Sequence, residues 1–159
     1  MTAPGAADLR RVFGCFPSGV TAICAELDGR PVGMAASAFT GVSLDPPLVS
    51  VCMQDTSTTW PVLRALPRLG VSVLASPHDD ACRRLSARTG DRFAGLPIRT
   101  DEDGAVLVDG AAAWFTCTLH AELPAGDHVI ALLRVHALDG RHEVDPLVFH
   151  AGRFRALAG

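Results

Sequence analysis

The side chains best suited to binding a charged group are four consecutive hydroxyls: Thr56, Ser57, Thr58 and Thr59. They follow an apolar, β-rich segment and open a predicted helix. Hydroxyls, backbone N–H groups and the positive helix end would then be aimed at one point, which suits a phosphate group. An ordinary N-cap needs only one of these hydroxyls, and it is the alternative interpretation of the same residues.

A second candidate segment, from Gly33 to Ser43, is rich in small residues and hydroxyls. It ends a predicted strand, where small side chains let a flat ligand approach the backbone closely. Exposed N–H groups there can bond the polar edge of a ring. The alternative is a small-residue strand end packed under a helix.

Three further side chains lie beside glycine-containing turns. Arg92 and Phe93 lie in a loop between Gly90 and Gly95, where the guanidinium can clamp a phosphate and the phenyl ring can cover an apolar ring. His128 opens a long strand after a turn, where its ring can hydrogen-bond a ligand or move a proton. A solvated arginine beside a core phenylalanine, and a surface histidine, are the alternatives.

Composition excludes several other classes of protein. The 159 residues carry a formal net charge of -3 without long runs of one sign, so neither nucleic acid nor a membrane surface is expected as a partner. The histidines and cysteines lack the spacing of metal ligands, and we expect no metal site. No nucleophile elbow, P-loop or dinucleotide-binding glycine fingerprint occurs.

Cysteine usage and the N-terminal residues bear on the compartment. The five cysteines are far apart and mostly within apolar runs, which predicts reduced core residues. The first residues lack a signal-peptide pattern, and no apolar stretch approaches the ~20 residues of a membrane span. We therefore expect a cytoplasmic protein.

The elements that must position the candidate side chains are mostly strands. Helical spacing predicts one N-terminal helix over residues 6–16, and a hairpin follows with its turn at residues 28–30. Further strands are predicted at 48–53, 70–75, 105–109, 114–123, 128–138, 146–152 and 153–157. Short helices are predicted after residue 56 and over 79–88, and residues 89–100 are predicted to be irregular. Because closing a sheet removes exposed edges, we predict a mainly β barrel with short helices, in one domain of residues 1–159.

Several of these segments together resemble one known family. GMAASAF with SLDPPLV, GDRF, GDH before a strand, and the closing PLVFHAGRFR are similar in order and spacing to the flavin reductase-like, FMN-binding split-barrel family, over residues 13–157. The resemblance implies a homodimeric split β-barrel that binds flavin near the subunit interface. It also implies oxidation of NADH or NADPH with reduction of FMN or FAD, commonly to supply a separate flavin-dependent monooxygenase.

The resemblance also implies roles for individual residues. The implied flavin-binding set is Met34, Ala35, Ala36, Ser37, Ser57, Thr58, Thr59, Arg92 and Phe93. The first four would line the isoalloxazine edge, the hydroxyls would take the phosphate or ribityl end, and Arg92 would add charge. His128 is implied as the catalytic residue beside flavin and nicotinamide, and His150 and Arg153 are similar to positions on the nicotinamide side.

Four positions depart from the family's usual pattern. Ala35 and Ala38 stand where Thr and Ser are frequent, Gly41 where Ser is frequent, and Trp60 where His is frequent. The lost hydroxyls would weaken flavin binding or change its contacts. Two alternatives stay open: a flavin- or small-ligand-binding barrel without reductase activity, and a pathway-specific flavoenzyme acting on a metabolite, with Trp60 and residues 93–100 shaping its pocket.

Overall fold

Antiparallel strands form most of the regular structure of this protein, which is described by a computed structural model over residues 3–159. The strands are β1 (Ser18–Gly19), β2 (Thr21–Leu27), β3 (Arg30–Ala36), β4 (Phe39–Leu44), β5 (Pro47–Gln54), β6 (Leu69–Val73), β7 (Ile98–Thr100), β8 (Val106–Val108), β9 (Ala113–Ala125), β10 (His128–Gly140), β11 (Val148–His150) and β12 (Arg153–Arg155). The helices are α1 (Ala6–Phe13), α2 (Trp60–Leu63) and α3 (Asp79–Leu85), and a 3-10 turn over Ser76–His78 precedes α3. None of the helices in this described part is long and apolar enough to cross a membrane.

The hairpin of β2 and β3 forms as predicted. Asp28 and Gly29 have φ angles of 52° and 77°, the left-handed conformation of a tight two-residue turn, and Leu27 pairs with Arg30 on either side of it. Such a turn matches the twist of its strands. This hairpin brings residues 33–36 to the edge of the main sheet.

The main sheet has seven strands in the order β3-β2-β6-β9-β10-β5-β4. Its two edge strands, β3 and β4, are consecutive in the chain and are separated only by Ser37 and Ala38. In a flat sheet these edges would lie roughly 29 Å apart, whereas the connection spans at most ~11 Å. The sheet must therefore curl until its edges meet, and the predicted split β-barrel is confirmed.

Strand β2 is buried on both faces and separates two apolar clusters. Ile23 belongs to the inner cluster, which fills the barrel with side chains from β2, β5, β6, β9 and β10. Cys24 belongs to the outer cluster, which lies between the sheet, β8 and α3 and contains Val106 and Leu85. This outer cluster supports β3 from the side opposite to the barrel interior.

Several predicted boundaries were wrong. The first helix ends at Phe13, and residues 39–44 form the strand β4 by pairing with β5. Part of the stretch predicted to be irregular forms β7, which pairs with β8, and the helix predicted over 79–88 ends at Leu85. The five cysteines are free as predicted, but Cys15 is exposed rather than in the core.

Candidate functional site

A groove of about 810 Å³ brings together nine of the predicted site residues. It lies between β3, residues 56–59, the end of α3 and the first residue of β10; we call it the main groove. The predicted residues that line it are Met34, Ala35, Ala36, Ser37, Ser57, Thr58, Thr59, Arg92 and His128. These segments are far apart in sequence, and the folded barrel makes them neighbours.

The β3 wall of the groove consists of small side chains on an edge strand. Because β3 pairs only with β2 in the main sheet, its second backbone edge is not used by the sheet ladder. The hydroxyl of Thr21 donates to the carbonyl oxygen of Ala36 at 2.8 Å and holds the strand end in place. The wall therefore presents backbone groups beside Ala35, as the small-residue pattern predicts.

The hydroxyl segment is only partly free to bind a ligand. Ser57 Oγ accepts the backbone N–H groups of Thr59 and Trp60, at 3.3 and 3.1 Å, and its hydroxyl contacts the sulfur of Met34 at 4.0 Å. Ser57 is therefore engaged with the backbone at the start of α2, although the N-cap position itself is Thr59, whose side chain makes no cap hydrogen bond. Because α2 has only four residues, its dipole contributes less than the sequence suggested.

Arg92 joins three segments around the groove. Its Nε donates to the carbonyl oxygen of Ala87 at 2.9 Å, and its Nη1 donates to the Gly33 carbonyl at 2.9 Å and to Thr59 Oγ1 at 3.0 Å. Arg88 also lines the groove, and no carboxylate does so among residues 3–159. Two guanidinium groups without a local counter-charge make this end of the groove suited to an anion.

Phe93 and Trp60 face away from the groove. Phe93 packs against the outer cluster and lies under Gly33, so it supports β3 rather than lining the main groove. Trp60 is only 4% exposed in the inner cluster, and its Nε1 donates to Glu122 Oε1 at 2.7 Å. Trp60 therefore does not line the main groove, and any effect it has on the pocket is indirect.

His128 stands at the rim of the groove with its orientation set by its neighbour. Its Nδ1 lies 2.7 Å from Oδ1 of Asp127. An ionised carboxylate can only accept hydrogen bonds, so this contact requires the proton on Nδ1 of His128 and leaves Nε2 for a ligand. The same hydrogen bond lowers the pKa of Asp127.

A second groove of about 760 Å³ adjoins the first. The two grooves share four lining residues: Ala35, Ala36, Ser37 and Ser86. Arg153 lines the second groove, whereas His150 pairs with Arg153 across β11 and β12 without lining it. Phe149 and Phe154 form an edge-to-face pair at this wall, with ring centroids 5.5 Å apart.

Some lining residues were missed by sequence reasoning. Ser86 and Arg88 follow α3 directly, and Cys52 and Gln54 lie near the end of β5. Arg88 could have been proposed from the sequence as a second anion-binding residue, because it lies four residues before Arg92 in the same segment. No cluster of His, Cys, Asp or Glu side chains in the described residues could hold a metal ion.

A curled antiparallel barrel with an anion-suited groove beside its seam defines a split-barrel ligand-binding protein. The chain belongs to the flavin reductase-like domain family, whose profile matches residues 13–158. This match covers every element that lines the two grooves and leaves out residues 6–12 of α1, which lines neither groove.

Individual relatives agree with the family. The chain is 37% identical to a flavin reductase of Pseudomonas putida over 150 residues, 94% of this chain and 88% of the relative. It is 36% identical over 148 residues to HsaB, the reductase subunit of a flavin-dependent monooxygenase from Rhodococcus jostii, covering 93% of this chain and 76% of HsaB. The NADH:FAD oxidoreductase SgcE6 of Streptomyces globisporus, solved with NAD and FAD fragments, superimposes with a TM-score of 0.90 at 38% identity, covering 96% of this chain and 92% of SgcE6.

Proposed function

We propose that this protein is an NADH- or NADPH-dependent flavin reductase that reduces FMN or FAD and supplies the reduced flavin to a partner flavin-dependent monooxygenase. The family and the relatives named flavin reductase, NADH:FAD oxidoreductase and reductase subunit support this function. The observation in this chain that carries it is the main groove, which joins a flat backbone wall to an anion-suited end.

The chemistry of the groove residues fits a flavin at both of its ends. Ala35 and Ala36 leave room for a flat ring against β3, and Met34 adds apolar surface. Thr58, together with Arg92 at the other end, offers a hydroxyl and positive charge to a phosphate. The volume of about 810 Å³ lies within the usual range of small-molecule pockets.

The residues of the chain bind and orient, and the ligands supply the reactive atoms. A bound flavin supplies the acceptor for a hydride from reduced nicotinamide, at its N5 atom. The backbone at Met34 to Ser37 orients the polar edge of the ring. His128, held by Asp127, presents Nε2 at the groove rim, where it orients the nicotinamide or balances negative charge on the reduced ring. No nucleophile is required.

The second groove is our proposed site for the nicotinamide co-substrate. Because it shares the wall of Ala35 to Ser37 with the main groove, ligands in the two grooves meet at one boundary. Arg153 lines this groove and forms no ion pair with a carboxylate of the described residues, so its charge is available to the dinucleotide. His150, its cross-strand neighbour, would act by holding the position of Arg153.

The same proposal includes a homodimer. α1 has no buried residue, and Val12, Phe13 and Phe16 are 54%, 69% and 77% exposed. Leu44 on the edge strand β4 is 97% exposed. A second copy of the chain would cover these apolar side chains, whose exposure in a lone chain is unfavourable. Light scattering should give twice the mass of one chain, and a monomer at micromolar concentration would refute this part.

Two further expectations belong to the proposal. The five free cysteines fit a reducing compartment, and we infer a cytoplasmic location. We also treat residues 1–159 as a single domain, because the inner and outer clusters share strand β2. Limited proteolysis should therefore yield no stable fragment of half the chain.

The proposed function is tested by the loss of NADH or NADPH absorbance. The purified protein is mixed with each nucleotide and with FMN, FAD or riboflavin in turn. Rapid, flavin-dependent oxidation is the expected result, and it also reveals the nucleotide and flavin preferences. Flavin binding without nucleotide oxidation would overturn the reductase function and favour a flavin-binding barrel.

A further inference from the structure

Glu122 accepts three side-chain hydrogen bonds at a place away from both grooves. It lies on β9, and its Oε1 accepts the indole N–H of Trp60 at 2.7 Å and Nε of Arg64 at 3.1 Å. Oε2 accepts Nη2 of Arg64 at 2.6 Å. The carboxylate therefore fastens both ends of the short helix α2 to the barrel wall.

The same cluster reaches the main groove through one residue. Trp60 is the first residue of α2, and its backbone N–H donates to Ser57 Oγ at 3.1 Å. The position of Trp60 thus sets where the hydroxyl segment begins. Ser57 contacts Met34, and Thr59 accepts from Arg92, so the segment has separate attachments to β9, to β3 and to the loop of residues 90–95.

We propose that Glu122 is a positioning residue for the phosphate end of the main groove, acting through the indole of Trp60 on Ser57 and the hydroxyls that follow it. The inference rests on the proposed flavin reductase function and concerns the recognition of flavin phosphate. Glu122 does not line the groove, and its effect is transmitted by Trp60.

The contacts of Glu122 predict a local change at the phosphate end of the groove rather than a general loss of stability. Trp60 is buried, so removing the carboxylate leaves its indole N–H without an acceptor, and a buried unpaired donor drives the ring to move. The four residues of α2 have few internal hydrogen bonds with which to resist the movement. Glu122 makes no hydrogen bond with the β3 wall, which the hydroxyl segment reaches through the Ser57–Met34 contact at 4.0 Å and through Arg92. The ring end of the groove should therefore change less than the phosphate end.

The test compares FMN with riboflavin, which has the same ring but no phosphate. In Glu122→Ala we expect the KM for FMN to rise about fivefold or more, with kcat retained, while the KM for riboflavin changes less than about twofold. Trp60→Phe keeps an aromatic ring but removes the N–H donor, and it should give the same selective loss. Glu122→Gln keeps an acceptor for the indole and should restore most of the FMN affinity.

A double-mutant cycle and a control variant complete the design. Both changes break the hydrogen bond between Trp60 and Glu122, and Glu122→Ala also removes the two contacts with Arg64. Adding Trp60→Phe to Glu122→Ala should therefore raise the KM for FMN no further than Glu122→Ala alone. Asp103→Asn breaks the ion pair with Arg68 at 3.2 Å, away from both grooves, and should leave both KM values unchanged.

Equal increases for FMN and riboflavin would overturn the inference, because they would show general damage to the groove. An unchanged KM for FMN in a folded Trp60→Phe protein would overturn it as well. If Glu122→Ala does not fold, the KM values for FMN and riboflavin are compared in Trp60→Phe and Glu122→Gln instead. A wild-type protein that reduces no flavin would instead refute the proposed function.

Discussion

Gly33 is the position where packing against β3 leaves no room for a side chain. A Cβ added there would lie 2.5 Å from Sγ of Cys24, 2.9 Å from the carbonyl oxygen of Ile23 and 3.0 Å from Cζ of Phe93. The Ile23 oxygen belongs to the backbone of β2, which pairs along the whole of β3 and cannot move alone. The substitution Gly33→Ala therefore has to push β3 and Phe93 apart.

The cost of this overpacking can be worked from the contacts. Forcing an extra carbon into a packed interior costs ~1–3 kcal/mol, and a close backbone contact places Gly33→Ala toward the upper part of that range. We expect the free energy of unfolding to fall by about 2 kcal/mol, which lowers Tm by roughly 4–8 °C for a domain of this size. Because the Gly33 carbonyl accepts from Arg92, the same shift should raise the KM for FMN.

Thermal unfolding followed by circular dichroism measures the effect, with Gly41→Ala as the matched control. Gly41 lies on the edge strand β4, and no atom lies within 4 Å of a Cβ added there. The same chemical change should therefore shift Tm by no more than about 2 °C. Adding Cys24→Ala to Gly33→Ala removes the nearest contact and should recover part of the loss. Equal Tm values for wild type and Gly33→Ala would refute the packing argument.

Three further predictions concern the groove and the pH dependence of folding. His128→Ala should slow flavin reduction in stopped flow by at least about tenfold while changing the Kd for FMN less than twofold, because the ring stands at the rim. Arg92→Met should raise the KM for FMN about 10- to 100-fold, with a smaller rise for riboflavin, because it removes a charge-assisted contact to phosphate. His78 accepts the backbone N–H of Ala75 through Nδ1 at 3.0 Å, and burial lowers the pKa of His78. The neutral ring therefore stabilises the fold fully above the ordinary histidine pKa. This contribution falls as pH drops below ~6.5.

Each of these predictions has a control or a contradicting outcome. An unchanged rate of flavin reduction in His128→Ala would remove that residue from the mechanism. Arg30→Met, at the far exposed end of β3, should leave the KM for FMN unchanged. Urea unfolding between pH 5 and 8 should lose part of its pH dependence in His78→Asn but not in the exposed His142→Gln; identical curves for His78→Asn and wild type would contradict the linkage.

The elements that sequence reasoning predicted well are those with strong local signals. The β2–β3 hairpin has a left-handed Asp28–Gly29 turn between apolar runs, and both of these features are readable from neighbouring residues. The strand β4 was missed because its residues are small, hydroxylated and mostly exposed. It is a strand because β5 offers it a pairing edge, and that edge is not visible in the sequence of residues 39–44 alone.

The candidate site likewise combines features that neighbouring residues predict with features that depend on contacts between distant segments. Arg92 and Phe93 are adjacent in a glycine-flanked loop, and the sequence offered both as ligand contacts. In the fold, Arg92 reaches the carbonyl of Gly33, 59 residues away, while Phe93 turns under the same glycine into the outer cluster. Which of two neighbouring side chains faces a ligand depends on the surface that packs against the loop.

The sequence by itself determined the β-rich barrel, its first hairpin, and the segments from which the main groove is built, because alternation, turn chemistry and hydroxyl runs act over a few residues. The tertiary structure alone decided how the groove is assembled: it curled the sheet so that β3 meets β4, paired Trp60 with Glu122 across 62 residues, and set the start of α2 against the hydroxyl of Ser57. These contacts join distant segments. Their partners are selected by packing and hydrogen-bond satisfaction in the whole fold, which no local pattern records.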